Sequence, residues 1–197
     1  MPDDYATLEA VKARLDIADT IDDGMITSVI SAASRSIDSF CNRLFSSEVA
    51  QVRYFTADCS GYIDVDDLVS VTTLATDSDG DRVYEDTWAA TDYDLEPYNA
   101  AQQEWPYTRL MIAPDGNYSF PTVRRSVKIT GTWGWPSIPY PVQEACILLT
   151  IRWFKRKDSP FGIAGSNELG QVQMMATRDP DVKAMLEPYR KFTVGAF

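Results

Sequence analysis
The chain has no histidine among its 197 residues. That absence removes the commonest general base, the Ser-His-Asp arrangement and most zinc sites. There are three cysteines, Cys41, Cys59 and Cys146. They are odd in number and far apart, so a disulfide framework is not expected and a reducing compartment fits better. Their spacing is not that of metal ligands, and two of them sit in apolar patterns where a thiol acts as a small hydrophobe. No apolar run approaches the roughly 20 residues that span a bilayer. The opening MPDDYATLEAVK is acidic and polar, unlike a signal peptide. A glycine-rich phosphate loop is also missing, since Gly131 and Gly134 lie in a tryptophan-rich turn. Bases are few, 18 against 29 acids, which leaves a net charge of −11. Phosphate affinity comes from Lys and Arg, so such a chain is a poor general binder of nucleic acid.

What is present is ordinary globular material, 24% charged and 45% apolar, long enough to bury a core. The negative charge is concentrated. Residues 57–104 hold 13 acids and one base, Arg82, while the rest of the chain is near neutral. A solvated, solubilising surface is the plain account of that segment.

Helical periodicity opens the chain. Thr7 is placed to cap a first helix with Leu8, Val11 and Leu15 at helical spacing. Asp22 is placed to start a second, with Ile26, Val29, Ile30, Ala33, Ile37, Phe40, Cys41 and Leu44 three and four residues apart. The period then shortens. Segments 49–56, 62–65, 70–76, 109–113 and 126–133 alternate, are rich in β-branched and aromatic residues, and are separated by turn chemistry at 59–61, 77–81 and 114–117. The spacing predicts a small antiparallel sheet or barrel over 49–135.

Helices return after Pro141, which suits a first helical turn. Val142, Ala145, Cys146, Leu149 and Trp153 make one apolar face, and Ile147, Leu148, Ile151 and Phe154 widen it beyond a normal stripe. Lys155, Arg156 and Lys157 close the helix where its dipole favours cations. Residues 159–173 read as a loop. Asp179-Pro180 opens a fourth helix, which ends or kinks at Pro188. The fold class is α+β, a four-helix core with an inserted antiparallel β domain. Its parts are 1–48 and 136–197 for the helices, the latter with a C-terminal tail, and 49–135 for the acidic insertion.

Several constellations only resemble sites. Asp77-Ser-Asp-Gly-Asp looks like the start of a calcium loop, but Gly80 falls at position four and Trp88 at position twelve, where the pattern needs Gly at six and Glu at twelve. A hairpin turn explains it better. Asp64, Asp66, Asp67, Asp92, Asp94 and Glu96 offer paired carboxylates for a hydrolase, yet a solvated acidic sheet has the same composition. Trp133, Trp135 and Tyr140 suggest a sugar-stacking platform or, more simply, core packing between sheet and helix. Arg124, Arg125 and Lys128 form a basic cluster expected to pair with local acids.

Taken in order, the segments resemble a known family. These are YATLEAVKARL, then MITSVISAASRSIDSFCNRLF with its AAS..ID.FC.R.F cadence, then DYDLEP and VKITGTWGW in the β region. PYPVQEACILL leads on to WFKRKDSPFG, and DPDVKAMLEPYRKF closes the series. The whole is similar to the head-tail connector, or adaptor, proteins of long-tailed bacteriophages and phage-like gene transfer particles. The β insertion is the departure, being absent from the shortest family members.

The resemblance implies a structural, non-enzymatic role with no catalytic, cofactor-binding or metal residue. It implies a homo-oligomeric ring, a dodecamer, in the virion neck under the portal protein, assembled from chains made in the host bacterial cytoplasm. That ring extends the channel for double-stranded DNA, without sequence recognition or membrane contact, and links to the stopper and tail. Expected portal-docking residues are Pro188, Tyr189, Arg190, Lys191, Phe192, Val194 and Phe197. Leu148, Ile151, Trp153 and Phe154 are expected at the ring interface, and Lys155, Arg156, Lys157, Phe161 and Gly162 in a stopper or channel loop. The acidic insertion either lines the channel or, as its bulk favours, lies outside. The competing function is a β-domain module that recognises carbohydrate or protein through surface aromatics.

Overall fold
The computed structural model describes residues 3–156, 163–164, 173–174 and 179–191. Among these residues the fold is α+β, with four α-helices, a six-stranded antiparallel sheet and a two-stranded one. The chain divides into two compact units, one of Asp3–Arg43 with the segment from Ile138 onward, the other of Leu44–Ser137.

In the helical unit, α1 (Leu8–Leu15) starts where Thr7 Oγ1 accepts the Ala10 N–H at 3.1 Å. Helix α2 (Asp23–Cys41) buries Ile26, Ile30, Ala33, Ser34, Ile37 and Cys41, the predicted stripe plus one serine. Asp22 stands at its N-cap position without a side-chain capping bond. The helix stops three residues short of Leu44 because Asn42 turns left-handed at φ 54 and returns its N–H to the Asp38 carbonyl. Helix α3 (Tyr140–Lys155) has Pro141 in its first turn, and α4 (Pro180–Leu186) is capped by Asp179, which accepts from Asp181 N at 3.0 Å. A 3-10 turn, Glu187–Tyr189, replaces the α-helix at Pro188.

Helices α2 and α3 pack on each other with small residues buried on both, Ala33 and Ser34 on α2 and Ala145 and Cys146 on α3, and Ser34 Oγ lies 3.4 Å from Cys146 Sγ. Ser34 also accepts the Tyr5 N–H at 3.0 Å, while the Tyr5 hydroxyl bonds the Asp38 carboxylate. Burial lifts the Asp38 pKa against the pull of that hydroxyl and of Arg35. It also pushes the Cys41 thiol up to about 12. No disulfide joins the three cysteines.

In the β unit the strands are β1 (Glu48–Phe55), β2 (Tyr62–Thr76), β3 (Asp86–Trp88), β4 (Tyr93–Glu96), β5 (Tyr107–Ile112) and β6 (Val127–Trp133). Their order is β1-β6-β2-β5-β4, with β3 paired to β2. The two predicted strands at 62–65 and 70–76 are one 15-residue strand, bent by register shifts between Asp64 and Leu68 and again after it. The pair Asp66-Asp67 interrupts the alternation and so hides this continuity. Strands β3 and β4 were not expected; at three and four residues they carry too few apolar positions to show alternation. The core gathers Ile63, Leu68, Leu74, Trp88, Leu110, Phe120, Ile129 and Trp133.

Overlapping the stretch read as a loop, β7 (Ile163–Ala164) and β8 (Gln173–Met174) pair antiparallel. Among the described residues no helix is long and apolar enough to cross a membrane.

Candidate functional site
Helix α3 carries the first candidate surface. Val142, Ala145, Cys146, Thr150 and Phe154 are buried. Thr150 was not foreseen as core. Its hydroxyl is satisfied by donating 2.8 Å to the Cys146 carbonyl one turn back. Phe154, expected at a ring interface, is only 5% exposed and belongs to the chain's own core. Leu148, Ile151 and Trp153 remain half-buried, as do Ile147 and Leu149.

These residues do not form one face. At about 100° per residue, Leu148 and Ile151 fall on the side away from the buried arc and Ile147 borders its Phe154 edge, whereas Leu149 and Trp153 fall within it. Trp153 lines a cavity of about 290 Å³ with Phe40, Leu149, Val182 and Leu186, and Arg156 stands at the same cavity. Lys155 and Arg156 are exposed at the helix end. Lys157, Phe161 and Gly162 lie outside the described residues.

The start of the C-terminal tail is the second candidate. Pro188 and Arg190 are exposed, and Tyr189 and Lys191 are half-buried. Lys191 gives its backbone N–H to the Cys41 carbonyl at 2.8 Å, so the tail is anchored to the end of α2. Arg190 sits 5.5 Å over the Phe40 ring. Phe192, Val194 and Phe197 lie outside the described residues.

The β unit supplies corrections. Trp133 and Trp135 are buried, at 0% and 1% exposure, and offer no stacking platform, while Tyr140 belongs to the helical unit and is 85% exposed. Two bases of the cluster meet aromatic rings. Arg125 stacks 4.5 Å over Tyr54, and the Lys128 ammonium lies 5.6 Å from the Tyr84 ring. Nothing in the charge pattern signalled this, because Tyr54 and Tyr84 are distant in sequence from the bases they meet.

The acids divide by role. Asp64 and Asp66 are exposed and pair with Arg109 at 2.6 Å and Arg53 at 2.9 Å. Asp92 is buried and accepts the Ala89 N–H at 2.7 Å and the Asn117 N–H at 3.2 Å. Asp77, Asp79 and Asp81 converge, but each carboxylate accepts a backbone N–H inside the turn, Asp77 from both Gly80 and Arg82. Burial raises the Asp77 pKa and these N–H groups outweigh it, so the net direction is down. The segment joins β2 to β3 as a hairpin.

Residues 5–73 match the family described as Phage gp6-like head-tail connector protein. The matched part contains α1, α2, β1 and most of β2. No curated protein matches the chain. Among solved structures, a chain in the neck of an empty GTA particle computed with C6 symmetry is similar at 15% identity and a TM-score of 0.55, covering 96% of this chain and 91% of that one. A chain in the neck of a native GTA particle computed with C12 symmetry is similar at 18% identity and a TM-score of 0.54, covering 100% and 98%. A third similar chain comes from the virion of a native gene transfer agent (GTA) particle, at 18% identity and a TM-score of 0.52, covering 96% and 91%. At such identities the likeness is one of fold. The resemblance to head-tail connector proteins therefore holds in the profile of residues 5–73, and the fold of nearly the whole chain is similar to that of chains in GTA particles.

Proposed function
We propose that this chain is a structural head-tail connector subunit of a phage-like particle. The match of residues 5–73 to the connector family carries the reading. Copies form a ring, a dodecamer, beneath the portal in the virion neck. The helical unit is the connector core and the acidic β unit an insertion that stays outside the DNA path. The ring continues the channel for double-stranded DNA and passes it on to the stopper and tail, without base recognition and without chemistry on a substrate.

Two physical features support this role. Ile147, Leu148 and Ile151 leave apolar surface on α3 that a neighbouring copy would cover. The chain beyond Lys191, with Phe192, Val194 and Phe197, supplies apolar anchors for the portal, and the Lys191 bond to Cys41 fixes where that tail departs. Deleting 192–197 preserves this bond. The shortened chain is expected to stay folded and to be missing from portal-bearing heads. Its normal incorporation would remove the tail from the docking role. Absence of the intact chain from the neck of DNA-filled particles, seen by electron microscopy, would remove the connector reading itself.

A further inference from the structure
Within the β unit, two cations set on tyrosine rings lie toward one edge of the sheet, and two acids lie along the other. At the β1 edge, Tyr54 and Tyr84 have ring centroids 5.7 Å apart, with Arg125 over one and Lys128 beside the other. The Tyr84 hydroxyl ties the group together by donating 2.7 Å to the Arg125 carbonyl. Exposed apolar side chains collect there too. Val52 is 43% exposed and Tyr54 41%, and Val83 and Val123 flank the neighbouring turn at 56% and 47%.

The β4 edge has the opposite character. Asp94 and Glu96 lie along β4, with Tyr98 just beyond at 61% exposure. Partial burial, then the charges of Asp94 and Glu96, push the Tyr98 phenol pKa up. Glu96, Tyr98 and Arg109 line an open hollow of about 570 Å³, and Asp64 holds the Arg109 guanidinium at 2.6 Å. The strand order puts four interstrand steps between the two edges, roughly 19 Å at about 4.8 Å each.

We infer that the Tyr54–Tyr84–Arg125–Lys128 surface of one copy receives the Asp94–Glu96–Tyr98 edge of a second copy of this chain. The inference rests on the ring reading above and assigns it a contact. A closed ring is built from heterologous interfaces, in which each copy offers two different, complementary patches. Arg125 and Lys128 are opposite in sign to Asp94 and Glu96, and Tyr and Arg are the side chains that dominate interfaces. The contact runs through side chains and not through a continued ladder. The outer strand β1 is bulged between Glu48 and Gln51, where Ala50 takes φ 57, and such a kink blunts strand-to-strand addition.

Charge reversal tests this. Arg125→Glu with Lys128→Glu makes both edges acidic, and Asp94→Lys with Glu96→Lys makes both basic. Self-association of the full chain is measured by sedimentation, and incorporation into particles by quantitative blotting. Each variant alone is expected to lose at least about tenfold in association, and an equal mixture of the two to recover it, because acidic and basic edges then alternate. Thermal unfolding checks that each variant is folded. Should either unfold, the wild-type chain decides, since its association must fall as salt is raised.

If both folded variants assemble and incorporate as the wild type does, the edge contact is wrong while the ring reading stands. A wild-type association indifferent to salt overturns the contact in the same way. If the wild type neither associates nor enters particles, the connector reading fails and takes this inference with it.

Discussion
The Trp135 indole N–H points at the Asp67 carboxylate across 3.3 Å, and both residues are buried. The Asp67 carbonyl accepts the Gly134 N–H at 2.8 Å, so one acid holds both residues of the turn that ends β6. Phe45 packs on Trp135 with ring centroids 5.2 Å apart. The Gly-Trp pair in the sequence is therefore a structural corner.

Gly134 is the residue that corner cannot exchange. Its φ is +102, and a Cβ there would stand 2.0 Å from the Ser46 carbonyl oxygen. Backbone strain and a backbone clash add together, so Gly134→Ala is expected to destabilise the β unit by at least about 2 kcal/mol. The denaturant midpoint reads this directly. An unchanged midpoint would mean that the loop before β1 yields easily.

Trp133 separates core from ligand platform. Its indole donates 2.9 Å to the Gln51 carbonyl, Phe55 packs 5.4 Å away, and the Arg53 guanidinium lies 4.6 Å over its ring. Trp133→Ala is expected to cost about 3–5 kcal/mol of stability, the range for large aromatic deletions in a core. Glycan-array binding by the intact chain, lost in a Trp133→Ala protein of normal stability, would restore the recognition-module reading.

Much of this architecture was legible in the residues, and the failures have physical causes. Long amphipathic stretches declare themselves, so α2 and the Asp179-Pro180 start of α4 were readable. Short strands did not, since Asp86–Trp88 and Tyr93–Glu96 owe their state to pairing with β2 and β5. The width of the apolar face on α3 was visible, but its division was not. Whether Phe154 or Leu148 is covered depends on the neighbouring helices, which no local pattern encodes. Likewise, the bases near 125 declared their charge but not their aromatic partners.

Asp77 sets an acid-sensitive element in the β2–β3 hairpin. Its carboxylate accepts the Gly80 N–H at 2.6 Å and the Arg82 N–H at 2.9 Å, and its pKa is lowered. A group depressed in the folded state stabilises above its unfolded pKa, about 3.9, and loses that contribution as pH falls through the folded value. Asp77→Ala should therefore be less stable than wild type at pH 7, and the gap should narrow in acid below about pH 4. Urea unfolding at several pH values measures it. A gap that widens on acidification would refute the assignment.

Helix α3 allows packing and assembly to be separated by substitution. Phe154 is buried at 5% exposure, so Phe154→Ala is expected to cost the isolated chain about 3–5 kcal/mol. Leu148 and Ile151 are half-buried on the opposite side. Leu148→Glu with Ile151→Glu places two charges where an aqueous surface can hydrate them. The isolated chain should lose under about 1.5 kcal/mol, within the usual range for such positions. In an assembled ring the same charges would be trapped against a neighbour, where unpaired burial is costly. The double variant should thus unfold nearly as the wild type does and yet fail to join particles. If instead it destabilises the single chain as strongly as Phe154→Ala, that side of α3 is already covered within one subunit, and the apolar surplus that argues for a neighbouring copy does not exist.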